Sequence, residues 1–183
     1  MKLIERSYYL NKLQAVKDIP DIKVITGLRR SGKSKLLDAY ANILERETTN
    51  NVIRIPLHFK KYEKLRNGNG LYEYIDSKYC DNSNNYLLID EVQMCQDFEE
   101  TINSLQEEER FDIYLTGSNA FLLSSDLATL FRGRVFQIDI YPFSFDEYLL
   151  YYPSSDIDNS FDKYVLEGSM AGSYLYKTIE DKR

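Results

Sequence analysis

Residues 22–34 read Ile22-Lys23-Val24-Ile25-Thr26-Gly27-Leu28-Arg29-Arg30-Ser31-Gly32-Lys33-Ser34. Ile22–Thr26 is short, largely apolar and rich in β-branched residues, the mark of a strand. From Lys33 to Glu47, apolar residues recur at Leu36, Leu37, Tyr40, Ala41 and Leu44, the spacing of one helix face. Between the two, Gly27–Ser34 satisfies G-x-x-x-x-G-K-[ST] at every fixed position. Strand, glycine loop and helix in that order form a phosphate cradle. The glycines let backbone N–H groups turn inward, and the helix N-terminus adds its dipole and unpaired donors. Lys33 is expected at the β- and γ-phosphates and the Ser34 hydroxyl on Mg²⁺. Leu28, Arg29, Arg30 and Ser31 line the loop, and Lys35 follows it. Arg29 and Arg30 fill variable positions, where they either meet the γ-phosphate or a neighbouring subunit or are simply solvated.

Outward from this loop, strands and helices alternate. Val52–Leu57, Tyr86–Asp90, Asp112–Thr116 and Val135–Ile140 read as strands; Leu71–Tyr79, Phe98–Glu109 and Phe121–Phe131 read as helices. Leu65–Gly70, with Asn-Gly-Asn-Gly, and Asp81–Asn85 read as loops. Tyr86–Ile89 is apolar throughout, which suits a central strand covered on both faces. Such alternation implies βαβ units and a mainly parallel sheet. Before the first strand, residues 1–18 are expected to be helical, with Tyr8, Tyr9, Leu10 and Leu13 on one stripe. Beyond Pro142 the pattern changes to two short helices, Phe145–Tyr151 and Phe161–Glu167, joined by the polar loop Ser154–Ser160. Residues 1–142 are thus expected to form the core. Residues 143–183 are expected to begin a helical lid or linker.

The run Tyr86-Leu87-Leu88-Ile89-Asp90-Glu91 puts two carboxylates at the carboxyl end of a buried strand. Open α/β sheets bind ligands at that edge. Asp90 is expected in the magnesium shell and Glu91 as the general base toward water. Thr116-Gly117-Ser118-Asn119 ends the fourth strand. Ser118 or Asn119 is the candidate to hold the attacking water, or else to cap the next helix. Arg132-Gly133-Arg134 precedes the fifth strand. Either arginine can serve as an arginine finger on a neighbour's γ-phosphate. Equally, Arg132 can be a helix C-terminal cation beside a glycine.

The formal net charge of −6 argues against direct, non-specific binding to a nucleic-acid backbone. Cys80, Cys95 and the single His58 lack metal-ligand spacing, so reduced thiols in a cytoplasmic protein are expected. No apolar run is long enough to span a bilayer.

Taken together, ITGLRRSGKS, YLLIDEVQ, YLTGSNAFLLSS, LFRGRVFQIDIYPFSFDEYL and YVLEGSMAG resemble the AAA-type P-loop ATPase domain of a prokaryotic family. Members typically carry a following C-terminal domain of uncharacterised function. The resemblance implies a P-loop NTPase three-layer sandwich with a five-stranded parallel sheet in the order 5-1-4-3-2. It implies ATP and Mg²⁺ as ligands, Lys33 and Ser34 at phosphate and metal, Asp90 and Glu91 as the acidic pair, and a sensor at Ser118 or Asn119. It also places the adenine near Ile4–Tyr9 and what the site drives in a domain beyond Arg183. An arginine supplied in trans would require a homo-oligomer.

The leading functional expectation is an Mg-dependent ATPase coupled to that further domain. The alternative is a nucleotide-gated switch with little turnover. A small-molecule kinase is disfavoured, because the tail Tyr141–Arg183 is acidic and carries no arginine cluster to close over phosphates. Adenine is favoured over guanine because no N/T-K-x-D motif is present.

Overall fold

The computed structural model describes residues 5–117 and 127–170. Five strands form one sheet: β1 (Ile22–Gly27), β2 (Asn50–Pro56), β3 (Asn84–Asp90), β4 (Asp112–Thr116) and β5 (Val135–Ile140). Their order is β2-β3-β4-β1-β5 and every pairing is parallel. This is the order implied by the resemblance, read from the opposite edge.

Side-chain alternation explains why helices cover both faces. Along β3, Leu87 and Ile89 join a core with Leu71 and Ile75 of α3 (Gly68–Asp76) and with Phe98, Ile102 and Leu105 of α4 (Phe98–Glu107). Tyr86 and Leu88 point the other way. There they meet Leu10 and Leu13 of α1 (Ser7–Ala15) and Leu36, Leu37, Tyr40, Ala41 and Leu44 of α2 (Lys33–Leu44). A single helical turn, α5 (Leu127–Leu130), completes the first layer through Leu127. The result is three layers, with β3, β4 and β1 central and β2 and β5 at the edges.

One charge lies inside this core. Lys23 on β1 is fully buried; its ammonium is bonded to Asp112 and the Ile19 carbonyl and lies 5.4 Å from the Tyr114 ring centroid. Buried charges persist only when so paired. Tyr114 donates to Asp112 at 2.9 Å and Tyr86 to Asp18 at 2.9 Å, so the tyrosine hydroxyls of this layer are satisfied as well.

Three expectations need correction. Asn-Gly-Asn-Gly is not all loop: Asn67 is a helix N-cap whose side chain accepts from Gly70 N–H at 2.8 Å, and α3 starts at Gly68. Glycine fits there because a Cβ at residue 68 would lie 2.7 Å from Thr101 Oγ1 on α4. Tyr8 is exposed and does not share the buried stripe of Tyr9, Leu10 and Leu13. In the tail, the second helix starts four residues earlier than Phe161, because Asp156 caps it by accepting from Asn159 N–H.

That tail is a helical hairpin, α6 (Phe145–Tyr151) and α7 (Ile157–Glu167). Its aromatic residues pack on one another, Phe145 on Phe161 at 5.2 Å and Tyr148 on Tyr164 at 5.4 Å between centroids. Several of the chain's sixteen tyrosines pack here and in the α2–sheet layer, where Tyr9, Tyr40, Tyr86 and Tyr114 are buried. Ile157, Val165 and Leu166 nonetheless stay exposed on α7. Among the described residues, no helix is long and apolar enough to cross a membrane.

Candidate nucleotide site

The carboxyl ends of β1, β3 and β4 meet at one edge of the sheet, and the predicted phosphate and acidic residues meet with them. Gly27 ends β1 with φ 146°, and a Cβ there would run into the Ile140 carbonyl of β5. Only glycine lets the chain leave β1 this close to its neighbour. Arg30 and Gly32 also have positive φ, 66° and 99°. These turns curl residues 27–32 back onto the start of α2, whose first N–H groups have no intrahelical partner.

Lys33 is buried, and its ammonium donates to the Gly27 and Leu28 carbonyls at 2.8 and 2.9 Å. Burial lowers its pKa, and the nearby Glu91 and Asp90 carboxylates partly oppose that shift. The amine and both acids thus share one electrostatic neighbourhood. Leu28, Arg29 and Arg30 are exposed on the outer rim of the loop. Lys35 faces solvent and pairs with Asp38 at 3.7 Å.

Asp90 is the hub. Its Oδ1 accepts from Ser34 Oγ at 2.9 Å and from Thr116 Oγ1 at 2.5 Å. Thr116 Oγ1 in turn accepts from Glu91 N–H at 3.0 Å. One hydroxyl at the end of β4 therefore registers both acidic residues at the end of β3. His58, just past β2, brings Nδ1 to 3.2 Å from Asp90 Oδ2 without hydrogen-bond alignment, so Oδ2 has no hydrogen-bond partner. Glu91 adopts φ 58°, and its carboxylate accepts from the Gln93 amide.

The donor set suits a hard cation. A serine hydroxyl and a carboxylate with one uncommitted oxygen are oxygen ligands of the kind Mg²⁺ takes when phosphates complete its shell. Among the described residues no group of three or more His, Cys, Asp or Glu can hold a metal. A magnesium held by a hydroxyl and one carboxylate would take its remaining ligands from phosphate oxygens and water. Ser34 and Asp90 are the residues that would hold it.

Two further groups of residues were expected at the site. Ser118 and Asn119 lie outside the described residues. Arg132 and Arg134 sit before β5, at the amino edge of the sheet, opposite the phosphate loop. Arg132 pairs with Glu107, and Arg134 donates to Gln106 at 2.8 Å. Within one chain, neither reaches the loop.

Three residues close to the acids were missed by the sequence reading. Thr116 had a visible signal, a polar residue closing an apolar strand. His58 was weighed only as a zinc ligand. Gln93 stands two places after Glu91 in a segment without periodicity.

A family model described as AAA domain matches residues 20–149. An uncharacterized protein of Haemophilus influenzae is 39% identical over 150 residues, covering 80% of this chain and 38% of that protein. One from Methanocaldococcus jannaschii is 28% identical over 150 residues, covering 81% of this chain and 33% of that one. The chain thus matches only about a third of the length of these relatives. Among solved structures, AMPPCP-bound DnaA from Aquifex aeolicus superposes with a TM-score of 0.60 at 17% identity, covering 100% of this chain and 60% of that one. At that identity the likeness concerns the fold. With a phosphate loop, an acidic pair and a 5-1-4-3-2 parallel sheet in one chain, this protein belongs to the AAA domain family and is an AAA-type P-loop ATPase domain.

Proposed function

We propose that this domain binds ATP with Mg²⁺ and hydrolyses the β–γ phosphoanhydride. The observation that carries this reading is the Ser34–Asp90–Thr116–Glu91 chain of contacts, which joins phosphate loop and acidic pair across three strand ends. Ser34 and Asp90 would hold a magnesium bound with the nucleotide, which would supply charge neutralisation at the phosphates. The protein's part is positioning and electrostatics. Backbone N–H groups of residues 27–34 wrap the phosphates, and Lys33 exchanges its loop carbonyls for phosphate oxygens. Asp90 is fixed by two hydroxyl donors, Ser34 and Thr116. Glu91 orients water in line with the γ-phosphorus and takes its proton.

Coupling follows from the tail. Residues 143–183 are read as the start of a lid or linker. The exposed Ile157, Val165 and Leu166 on α7 suit contact with further polypeptide, such as the length by which the relatives exceed this chain. Arg132 or Arg134 would act only in trans, on a second copy. Action in the cytoplasm fits the free thiols Cys80 and Cys95.

One observation favours the slower alternative, a nucleotide-gated switch. Gln93 occupies a carboxylate oxygen of Glu91 that a base must free. Steady-state phosphate release by the chain, with and without Mg²⁺, decides between them. Hydrolysis that depends on magnesium and falls at least ~100-fold in Glu91→Gln supports the enzyme. Tight ATP binding without release supports the switch. No binding by either measure refutes both.

A further inference from the structure

Arg6 belongs to no motif read from the sequence, yet its guanidinium is buried behind the phosphate loop. Nη1 donates to the Ser31 carbonyl at 3.0 Å. Nε and Nη2 grip Glu147 of α6 as a fork, at 2.7 and 3.0 Å, and Nη2 also donates to the Tyr141 carbonyl at 2.9 Å. The rings of Tyr9 and Phe143 flank it, with centroids at 4.5 and 5.0 Å. A single cation thus joins the residue before α1, the phosphate loop, the exit of β5 and the first helix of the tail.

The contact with Ser31 has a directional consequence. In a trans peptide the carbonyl and the following N–H point in opposite directions. Holding the Ser31 oxygen at the back of the loop therefore turns Gly32 N–H toward the front, where a phosphate lies. A cation on that oxygen also polarises the peptide and strengthens the N–H as a donor. Glu147 closes the other end of the link. It accepts from Ser144 N–H at 2.9 Å, and the Ser144 hydroxyl accepts from Glu147 N–H at 3.2 Å, a capping box that fixes the first turn of α6. Any shift of peptide 31–32 moves Arg6, and any shift of Arg6 strains the cap.

We infer that Arg6 is a positioning residue for the phosphate loop and that, through Glu147, it ties loop occupancy to the order of α6. The inference rests on the nucleotide reading above and adds to it the physical route from phosphate to tail. Arginine is required because its planar fork serves Glu147 and Ser31 at once; lysine keeps the charge but not the geometry.

The test uses two variants and ATP·Mg as the probe. Glu147→Gln preserves size and an acceptor oxygen for Arg6 but removes the charge. Arg6→Lys preserves the charge alone. In the wild-type chain, saturating ATP·Mg is expected to slow amide hydrogen exchange in residues 27–34 and in 143–151. In Glu147→Gln, at its own saturating concentration, protection of 27–34 should persist and protection of 143–151 should vanish. Arg6→Lys should weaken ATP binding by about tenfold to a hundredfold, the worth of one charge-assisted hydrogen bond. Unchanged affinity in Arg6→Lys, or a tail that still responds in Glu147→Gln, overturns the inference while leaving ATP binding intact. Failure of the wild-type chain to bind ATP overturns the nucleotide reading and this inference with it.

Discussion

Thr116→Val removes one oxygen and replaces it with a methyl of similar size. Thr116 is fully buried, so the substitution leaves the packing in place and isolates the hydroxyl. That hydroxyl donates to Asp90 Oδ1 at 2.5 Å and accepts from Glu91 N–H at 3.0 Å. Losing the donor deprives a buried carboxylate of a charge-assisted bond, worth about 1.5–3 kcal/mol. Losing the acceptor orphans an amide at the strand end, about 1–3 kcal/mol. Ser34 still serves Asp90, and the new methyl returns roughly 0.8 kcal/mol of burial. The net loss is then about 2–5 kcal/mol. For a chain of this size each kcal/mol lowers the melting midpoint by roughly 2–4 °C. The expected fall is thus about 4–20 °C, followed by calorimetry or circular dichroism. Thr116→Ser, which keeps the hydroxyl, should cost only about 1 kcal/mol. Phosphate release should fall about tenfold or more in Thr116→Val, since 1.4 kcal/mol of misplacement at the acidic pair is a factor of ten. If Thr116→Val melts within ~2 °C of wild type, or Thr116→Ser melts as low as Thr116→Val, the hydroxyl does not register the two acids.

Lys33→Ala removes the ammonium that faces the loop and should abolish ATP binding by calorimetric titration; normal affinity would show the loop to be misassigned. Gln93→Ala frees the Glu91 carboxylate and should raise phosphate release if Gln93 restrains the base, whereas a fall would make it a support. Asp112→Ala strands the buried Lys23 ammonium and should cost about 3–5 kcal/mol in denaturant unfolding, while a loss below ~1 kcal/mol would mean the ion pair is dispensable. Burial pushes the Cys95 thiol up to about 11, so at pH 8 it stays protonated and iodoacetamide should label the exposed Cys80 first. The sign is fixed by the shift: Cys95 gains reactivity only as pH rises toward 11, or on unfolding. Equal labelling of both at pH 8 would contradict its buried position.

Elements governed by short-range pattern were legible in the sequence. The Leu36–Leu44 stripe, the apolar run ending at Asp90 and the fixed glycines of the loop each follow from local periodicity or backbone freedom. Parallel pairing followed from the alternation of elements. The links that assemble the site were not legible, because they join residues far apart with no pattern of their own. Thr116 meets Asp90 across 26 residues, and Arg6 meets Glu147 across 141. The cap at Asn67 shows the same limit on a smaller scale. Asn-Gly-Asn-Gly looks like a turn until Thr101 of α4 presses against Gly68, when a glycine in a first helical turn becomes the residue that fits. Tyr8 stands beside three buried neighbours but faces solvent, because α1 packs only a narrow stripe on the sheet.

The segment that ends β5 meets the phosphate loop once directly and once through Arg6, and this makes the route through Arg6 more than a local bond. Gly27 pairs with Ile140 in the sheet, and the Ile140 carbonyl is what excludes any side chain at residue 27. One residue later the Tyr141 carbonyl accepts from Arg6, whose other donors reach Ser31 and Glu147. The loop is therefore pinned at two points, by β5 at Gly27 and by Arg6 at Ser31. α6 then starts only a few residues past β5. A domain that had only to hold nucleotide would need no buried arginine between its loop and its tail. On the inference drawn above, a bound phosphate would draw the 31–32 peptide forward, and the ion pair with Glu147 is where that pull would leave the sheet. The two acids at the end of β3 would set how long the pull lasts, since hydrolysis of the γ-phosphate would end it.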